Sequence, residues 1–131
     1  MSEAAHQAAL FQMARRPDMV RKYPGLDLLE GSMNGVYLTP LQAIKARRSG
    51  MLKGAPDIRL PVARNGFNGL AIELKHGKNV PTPEQLAIAD RLRAEGYFVA
   101  FVWNWTDAWS WIVRYLGRNV EVTGAIRERS T

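Results

Sequence analysis

The segment "GLAIELKHGK", residues 69 to 78, constrains the fold more than any other part of the chain. Its apolar residues alternate with other residue types, which is the period of a β-strand with two different faces. The two leucines and the isoleucine lie on one face, and Glu73 and Lys75 lie together on the other. Two opposite charges therefore stand where a half-buried strand normally places apolar side chains.

A second predicted strand precedes this one. Residues 57 to 62, "DIRLPV", alternate in the same way, and "RNGFNG" joins them to the strand Leu70 to Lys75. An Asn-Gly dipeptide between two alternating runs is a strong signal for a β-hairpin. In an antiparallel pair about this turn, the charged faces coincide, and we expect Asp57, Glu73 and Lys75 to converge at one end of the hairpin.

Helical periodicity and a further strand surround the hairpin. The predicted helices cover residues 3 to 16, 40 to 48, Thr82 to about Glu95, and 107 to 117, and the strand "YFVAFVW" covers 97 to 103. The predicted N-caps of the first, second and last helices are Ser2, Thr39 and Thr106, and Pro17 is predicted to end the first helix. The predicted buried faces are Ala5, Ala9, Leu10 and Met13 in the first helix and Trp109, Ile112, Val113 and Leu116 in the last.

The order helix, helix, hairpin, helix, strand, helix predicts an α/β fold with a mixed central sheet flanked by helices. We expect one domain over residues 1 to 117 and a polar tail over 118 to 131, with one edge strand at "VEV". The apolar stretch Leu26 to Leu29 fits either a strand or a packed loop.

The formal charge of +6 and the sequence pI near 10.1 indicate a polyanionic partner, of which nucleic acid is the commonest. An acidic protein partner or simple solubility also fits this charge. The chain has no cysteine, which excludes disulfides and thiolate metal sites. No apolar run approaches the roughly 20 residues of a membrane span, and the first residues do not resemble a signal peptide. We therefore expect a cytoplasmic protein.

The predicted convergence of two carboxylates and a lysine has a chemical interpretation. Two carboxylates at close range repel each other unless a cation lies between them. Hard oxygen ligands without cysteine favour Mg²⁺ or Mn²⁺ over zinc. Lys75 beside such an ion is suited to orient or deprotonate a water molecule, and together these groups are typical of phosphodiester hydrolysis.

The motif residues carry a family resemblance. Pro56-Asp57 and "ELK" at 73 to 75 resemble the two half motifs of the PD-(D/E)XK nuclease superfamily. The longer segments "KGAPDIRLP", "GLAIELKHGKNVPTPEQ" and "EGYFV" resemble the virus-type replication-repair nuclease family, VRR-NUC, in its short stand-alone form found in phages and bacteria. The resemblance covers most of residues 1 to 103, and the extended match through Gln85 is more specific than the half motifs.

The resemblance implies roles for individual residues. Asp57, Glu73, the Leu74 carbonyl and Glu3 would bind Mg²⁺ or Mn²⁺, Lys75 would serve the nucleophilic water, and Gln85 would lie near the site. The family also implies cleavage of branched DNA such as Holliday junctions, a 5′-phosphate product and a homodimer.

Several site residues have a simpler alternative. Glu73 and Lys75 also fit a solvated strand face, Gln85 fits the capping box that begins at Thr82, and Glu30 is a rival to Glu3. The second Pro-Asp pair, Pro17-Asp18, is interpreted as a helix terminator rather than a motif. His6 and His76 are candidates for a site role, although a lone histidine is usually structural.

The basic and aromatic residues outside the hairpin also have two interpretations. Lys45, Arg47, Arg48 and Lys53, the basic cluster, precede the "GAPD" motif and are predicted to contact DNA phosphates, although they also fit a solvated face. We expect Trp103, Trp105, Trp109 and Trp111 mainly to pack, with any exposed remainder suited to a dimer interface. Stacking on unpaired bases is the alternative. The rival functions are a non-catalytic nucleic-acid-binding subunit with a nuclease-like fold, and a protein-interaction domain.

Overall fold

The protein was described from a computed structural model, which defines residues 1 to 32 and 38 to 117. Four strands form one mixed sheet in the order β1, β2, β3, β4. The strands are β1 (Glu30–Gly31), β2 (Ile58–Leu60), β3 (Gly69–Leu74) and β4 (Tyr97–Val102). β1 pairs antiparallel with β2, and β2 pairs antiparallel with β3, whereas β4 runs parallel to β3. The predicted α/β class with a mixed sheet is confirmed.

Helices pack on both faces of this sheet. The helices of the described ranges are α1 (Glu3–Ala14), α2 (Pro17–Lys22), α3 (Pro40–Arg48), α4 (Pro83–Ala94) and α5 (Trp105–Leu116), with a 3-10 turn at Leu26–Leu28. The larger core lies on the face covered by α1 and α5, where Leu10 and Ile112 meet the inward side chains of β2, β3 and β4. On the other face, Ala89 of α4 packs on Ala71 and Val99. The sheet is therefore buried on both sides over most of β3 and β4.

The hairpin turn forms as predicted. Asn65 and Gly66 both have positive φ, 55° and 83°, and Arg64 and Phe67 close the turn with two backbone hydrogen bonds of 3.1 and 2.9 Å. Two successive left-handed residues match the right-handed twist of a hairpin. This turn fixes the register, in which Ile58 faces Ile72 and Leu60 faces Leu70.

The first helix differs from the prediction. It ends at Ala14, and Pro17 does not merely terminate it but occupies the first position of α2, where its missing N–H costs nothing. The residues that α1 buries completely are Leu10 and Ala14, whereas Ala5, Ala9 and Met13 are only partly covered. The open choice at Leu26 to Leu29 is resolved as a 3-10 turn that leads into β1.

The last helix begins two residues earlier than predicted. Asn104 is the N-cap, since its side-chain oxygen accepts a hydrogen bond from the Asp107 backbone N–H at 2.7 Å. Thr106 lies inside the first turn and donates its hydroxyl to the same asparagine oxygen, so the prediction of Thr106 as the cap was wrong. The predicted tail with its edge strand at "VEV" lies outside the described residues.

Candidate active site

The register of the hairpin places two carboxylates opposite each other. Asp57 directly precedes β2, and because Ile58 pairs with Ile72, Asp57 is the neighbour of Glu73. Both side chains are 3% exposed, and they share a hydrogen bond. One oxygen of Asp57 also accepts the Leu74 backbone N–H at 2.8 Å. The predicted convergence of Asp57 and Glu73 is therefore present in the structure.

The backbone of Asp57 is held from the opposite side by the residue that follows β1. The Ser32 backbone N–H donates to the Asp57 carbonyl at 2.7 Å, and the Ser32 hydroxyl donates to the Pro56 carbonyl at 3.2 Å. Ser32 was not among the predicted site residues. No motif marks it in the sequence, because its role depends on a two-residue strand that only the folded structure reveals.

Burial dominates the electrostatics of the carboxylate pair. Burial, then the hydrogen bond and the negative charge of Asp57, raises the pKa of Glu73 to about 10. Burial also raises the pKa of Asp57, while hydrogen bonds from Glu73 and from the Leu74 N–H partly lower it. Two neighbouring buried carboxylates are both poorly solvated, so the raised pKa of Glu73 favours one proton shared between the two carboxyl groups when no cation is bound.

Lys75 completes the predicted trio. It is 7% exposed, its backbone N–H donates to the Val102 carbonyl at 2.8 Å, and its ammonium donates to the Gln85 side-chain oxygen at 3.1 Å. Its positive charge lowers the pKa of both carboxylates, against the larger effect of burial. A solvated surface face is therefore excluded for Glu73 and Lys75.

Gln85 joins both interpretations that the sequence left open. Its oxygen accepts the Thr82 backbone N–H at 2.9 Å, and its backbone N–H donates to the Thr82 hydroxyl at 3.1 Å, which is a complete capping box. The same side chain accepts from Lys75 and donates its amide N–H to Glu73 at 3.1 Å. Gln85 therefore both caps α4 and links the glutamate to the lysine.

The two candidates for a third carboxylate differ in their surroundings. The charge of Glu3 raises the pKa of both Asp57 and Glu73, so the start of α1 lies within electrostatic range of the pair. The Ser2 hydroxyl holds this helix start by accepting the Ala5 N–H at 3.0 Å. Glu30 instead forms an exposed ion pair with Arg59 at 2.9 Å. Glu3 is the better placed of the two.

The carboxylate pair supplies part of the ligand set that a divalent metal ion needs. Among the described residues, no group of three or more acidic or histidine side chains lies close enough together to hold a metal ion. The buried pair Asp57 and Glu73 nevertheless supplies hard oxygen donors whose mutual repulsion a cation would relieve. The residues present thus fit Mg²⁺ or Mn²⁺ with two carboxylates, and such ions usually retain several water ligands.

The basic cluster lies on and beside α3, and all four of its side chains are exposed. The helix buries none of its residues, and the loop after it contacts the start of α4. Gly54 in this loop is so close to the Glu84 backbone that a β-carbon would lie 2.8 Å from it, and Lys53 forms an exposed ion pair with Glu84 at 3.7 Å. Lys53 is therefore near the helix that carries Gln85.

The histidines and Trp103 correct or refine further expectations. His6 accepts the Trp105 backbone N–H at 3.2 Å and so joins α1 to the start of α5, which is a structural role. His76 is exposed in the turn after Lys75. The expectation that Trp103 packs inside is wrong, since its side chain is 41% exposed. The reason is that β4 ends one residue earlier, at Val102.

Comparison with solved structures defines the class of domain. The chain superposes on a "VRR_NUC domain protein" with a TM-score of 0.69 and 28% identity, over 89% of this chain and 91% of that one. No protein-family model and no curated protein matches the chain. The fold is of the PD-(D/E)XK nuclease type, and the domain is a nuclease-type domain. The predicted resemblance to the VRR-NUC family is confirmed.

In the ranges that the structure describes, every helix is too short or too polar to cross a bilayer.

Proposed function

We propose that this chain is a Mg²⁺- or Mn²⁺-dependent endonuclease that hydrolyses phosphodiester bonds in DNA. The observation that carries the proposal is the buried pair Asp57 and Glu73, linked through Gln85 to the ammonium of Lys75. Burying two carboxylates and a lysine costs folding free energy, and a purely structural role does not repay that cost as well as apolar side chains do. The VRR_NUC neighbour supports the same chemistry.

Each residue has a defined role in this proposal. Asp57 and Glu73, with the Leu74 carbonyl, would hold the metal ion, which offsets charge on the phosphate and activates water when bound. Glu3 would act on the ion through its charge, which already reaches both carboxyl groups. Lys75 would orient the attacking water in line with the leaving oxygen and, once its own proton has passed to solvent, would take up the proton of that water. The resemblance implies that the product carries a 5′-phosphate. Gln85 fixes the distance between Lys75 and Glu73.

DNA binding is assigned to the exposed basic residues. Lys45, Arg47, Arg48 and Lys53 would contact phosphates, which position the duplex without reading its sequence. The net charge of +6 supports this assignment. We further propose that the substrate is branched DNA and that the protein acts as a homodimer, since two opposed cuts in a junction require two active sites. The proposed location is the cytoplasm of a bacterial or phage-infected cell. Residues 1 to 117 are proposed as the catalytic unit.

The first test is cleavage of a labelled four-way junction and a linear duplex of equal length, with Mn²⁺, with Mg²⁺ and with EDTA. We expect Asp57→Asn and Lys75→Met to keep the fold and DNA binding but to lose metal-dependent cutting by at least about 100-fold, the usual scale for a lost acid-base group. Asp90→Asn and Lys22→Met are matched controls, because both side chains are exposed, on α4 and α2, and neither takes part in the hydrogen bonds of the site. Undiminished cutting by Asp57→Asn or Lys75→Met would contradict the assignment.

The alternative is a non-catalytic DNA-binding subunit. It predicts junction binding with no cleavage under any metal condition, and no loss of function in Lys75→Met. Sedimentation of the free protein and of its junction complex separately tests the homodimer.

A further inference from the structure

A surface cavity of about 370 Å³ lies at the end of the edge strand β4, between β4 and α5. Its lining comes from the end of β4 and from the exposed side of α5: Phe101, Val102, Trp103, Asp107, Ser110 and Arg114, with Trp111 behind them. This volume is near the lower end of the range for small-ligand sites, about 300 to 1,000 Å³. No residue of this cavity has a role in the proposed cleavage.

Two hydrogen bonds connect the cavity lining to the segment that carries Lys75. The Lys75 N–H donates to the Val102 carbonyl at 2.8 Å, so Trp103 follows directly at the same end of the sheet. The Trp103 indole N–H donates to the Asn79 carbonyl at 2.9 Å, which ties the ring to the turn after Lys75. An exposed tryptophan whose orientation is fixed by a hydrogen bond presents a preformed aromatic surface.

The rest of the lining offers a second flat surface and a polar rim. The guanidinium of Arg114 stacks over the Trp111 ring, with 4.9 Å from its central carbon to the ring centroid. Asp107 and Ser110 add hydrogen-bonding groups on the exposed side of α5. The rim carries one carboxylate and one guanidinium, so its charges cancel and it does not specifically attract a phosphate. Asp107 can accept, and Arg114 can donate, hydrogen bonds at the polar edge of a base.

From this arrangement we propose that the cavity binds one unpaired nucleobase of the DNA substrate, stacked on Trp103. The inference rests on the proposed function and adds a substrate feature to it: a base that has left the duplex next to the scissile phosphate. Aromatic stacking of this kind tolerates any base, because every base has a π-face. The cavity would thus favour branched or bulged DNA over continuous duplex.

Binding without cleavage tests the proposal. Affinities are measured in EDTA for three duplexes of equal length: fully paired, with one extrahelical 2-aminopurine, and with an extrahelical abasic residue at the same position. We expect the 2-aminopurine duplex to bind roughly 5- to 100-fold more tightly than the abasic one, the range that one stacked base supplies. We also expect its fluorescence to be quenched on binding.

Three variants locate the effect. Trp103→Ala should abolish the preference and the quenching and leave affinity for paired duplex unchanged, whereas Trp103→Phe should keep most of the preference. Ser110→Phe, which places a bulky ring in the cavity and leaves Trp103 unchanged in sequence, should also abolish it. Leu28→Ala, which truncates an exposed apolar side chain on the 3-10 turn, is the control and should change nothing.

Equal affinity of the wild-type protein for the 2-aminopurine and abasic duplexes, including no measurable binding to either, overturns the proposal. So does a preference that survives both Trp103→Ala and Ser110→Phe. Because no cut is scored, these results are independent of the cleavage test: a protein that cuts junctions but ignores the extrahelical base retains the proposed function and loses only this inference.

Discussion

Replacing Glu73 with glutamine should stabilise the metal-free protein while removing its metal response. An amide has the shape of a protonated carboxyl group, so Gln at this position can still accept from Gln85 and can donate to Asp57 in place of the shared proton. The variant therefore keeps the hydrogen bonds of the pair and removes the penalty of ionising a buried acid. Most substitutions of buried residues destabilise, which makes this direction diagnostic.

The magnitude follows from the pKa of Glu73, which burial raises from its ordinary 4.5 to about 10. A raised carboxyl pKa contributes stability that is fully present below the unfolded value and is lost as pH rises from there toward the folded value. One pKa unit corresponds to about 1.4 kcal/mol, so at about pH 7.5 the loss is bounded at about 4 kcal/mol. Relaxation of the site reduces it, and we expect Glu73→Gln to gain roughly 1 to 3 kcal/mol over wild type.

The assay is chemical denaturation in EDTA at about pH 4.5 and about pH 7.5, repeated at the higher pH with Mn²⁺. The gain of Glu73→Gln should shrink to a few tenths of a kcal/mol near pH 4.5 (roughly RT ln 2), where wild-type Glu73 is protonated in the folded state and about half protonated in the unfolded state. Mn²⁺ at about 100 times its dissociation constant should stabilise wild type by about 2.7 kcal/mol and the variant far less. Glu95→Gln, at the exposed end of α4, is the matched control and should show neither effect.

Two results would refute this reasoning. If Glu73→Gln is less stable than wild type at about pH 7.5, the buried carboxylate is not a source of strain. If Mn²⁺ stabilises the variant as much as wild type, Glu73 does not bind the ion.

Further predictions concern Gln85 and the core. Thr82→Val should lower the free energy of unfolding by about 1 kcal/mol, because it removes a helix cap, and should retain cleavage. Gln85→Leu should lower the stability by a similar amount and also reduce kcat, because it releases Lys75. Equal activities in the two variants would show that Gln85 only caps α4. Tyr115→Phe should lower the free energy of unfolding by roughly 1 to 3 kcal/mol, because it leaves the buried Val62 carbonyl without the hydroxyl that donates to it at 2.6 Å. Burial raises the pKa of Tyr115 to about 12, so wild type, but not Tyr115→Phe, should lose this contribution as pH rises from about 10 toward 12 in a denaturation series.

The local pattern of the hairpin carried most of the fold prediction. Strict alternation in β3 and an Asn-Gly turn leave few registers, and the observed one pairs Ile58 with Ile72 and so makes Asp57 and Glu73 neighbours. Spacing along a strand is a local property, so the sequence reveals it directly. The roles of Ser32 and His6 depend instead on contacts across 25 or more residues, and no local pattern encodes them.

Trp103 shows a second limit of local patterns. It ends an apolar run that predicts a buried strand, yet β4 stops at Val102 and the ring is 41% exposed. The boundary depends on where pairing with β3 ends, and the last paired residues are Leu74 and Val102. The partner strand decides where a strand ends. Periodicity within the apolar run therefore placed Trp103 in the interior, although its ring is exposed.

Gln85 connects the folding of α4 to the assembly of the site. Its single side-chain oxygen accepts both the Thr82 N–H, which begins the helix, and the Lys75 ammonium, which faces the carboxylate pair. Its amide N–H is at the same time committed to Glu73. Fraying of the first turn of α4 would therefore withdraw a partner from both charged residues at once, and the buried lysine could not be satisfied by water without opening the site. The cap and the site form or break together, which explains why a polar helix start lies against the most highly charged part of the core.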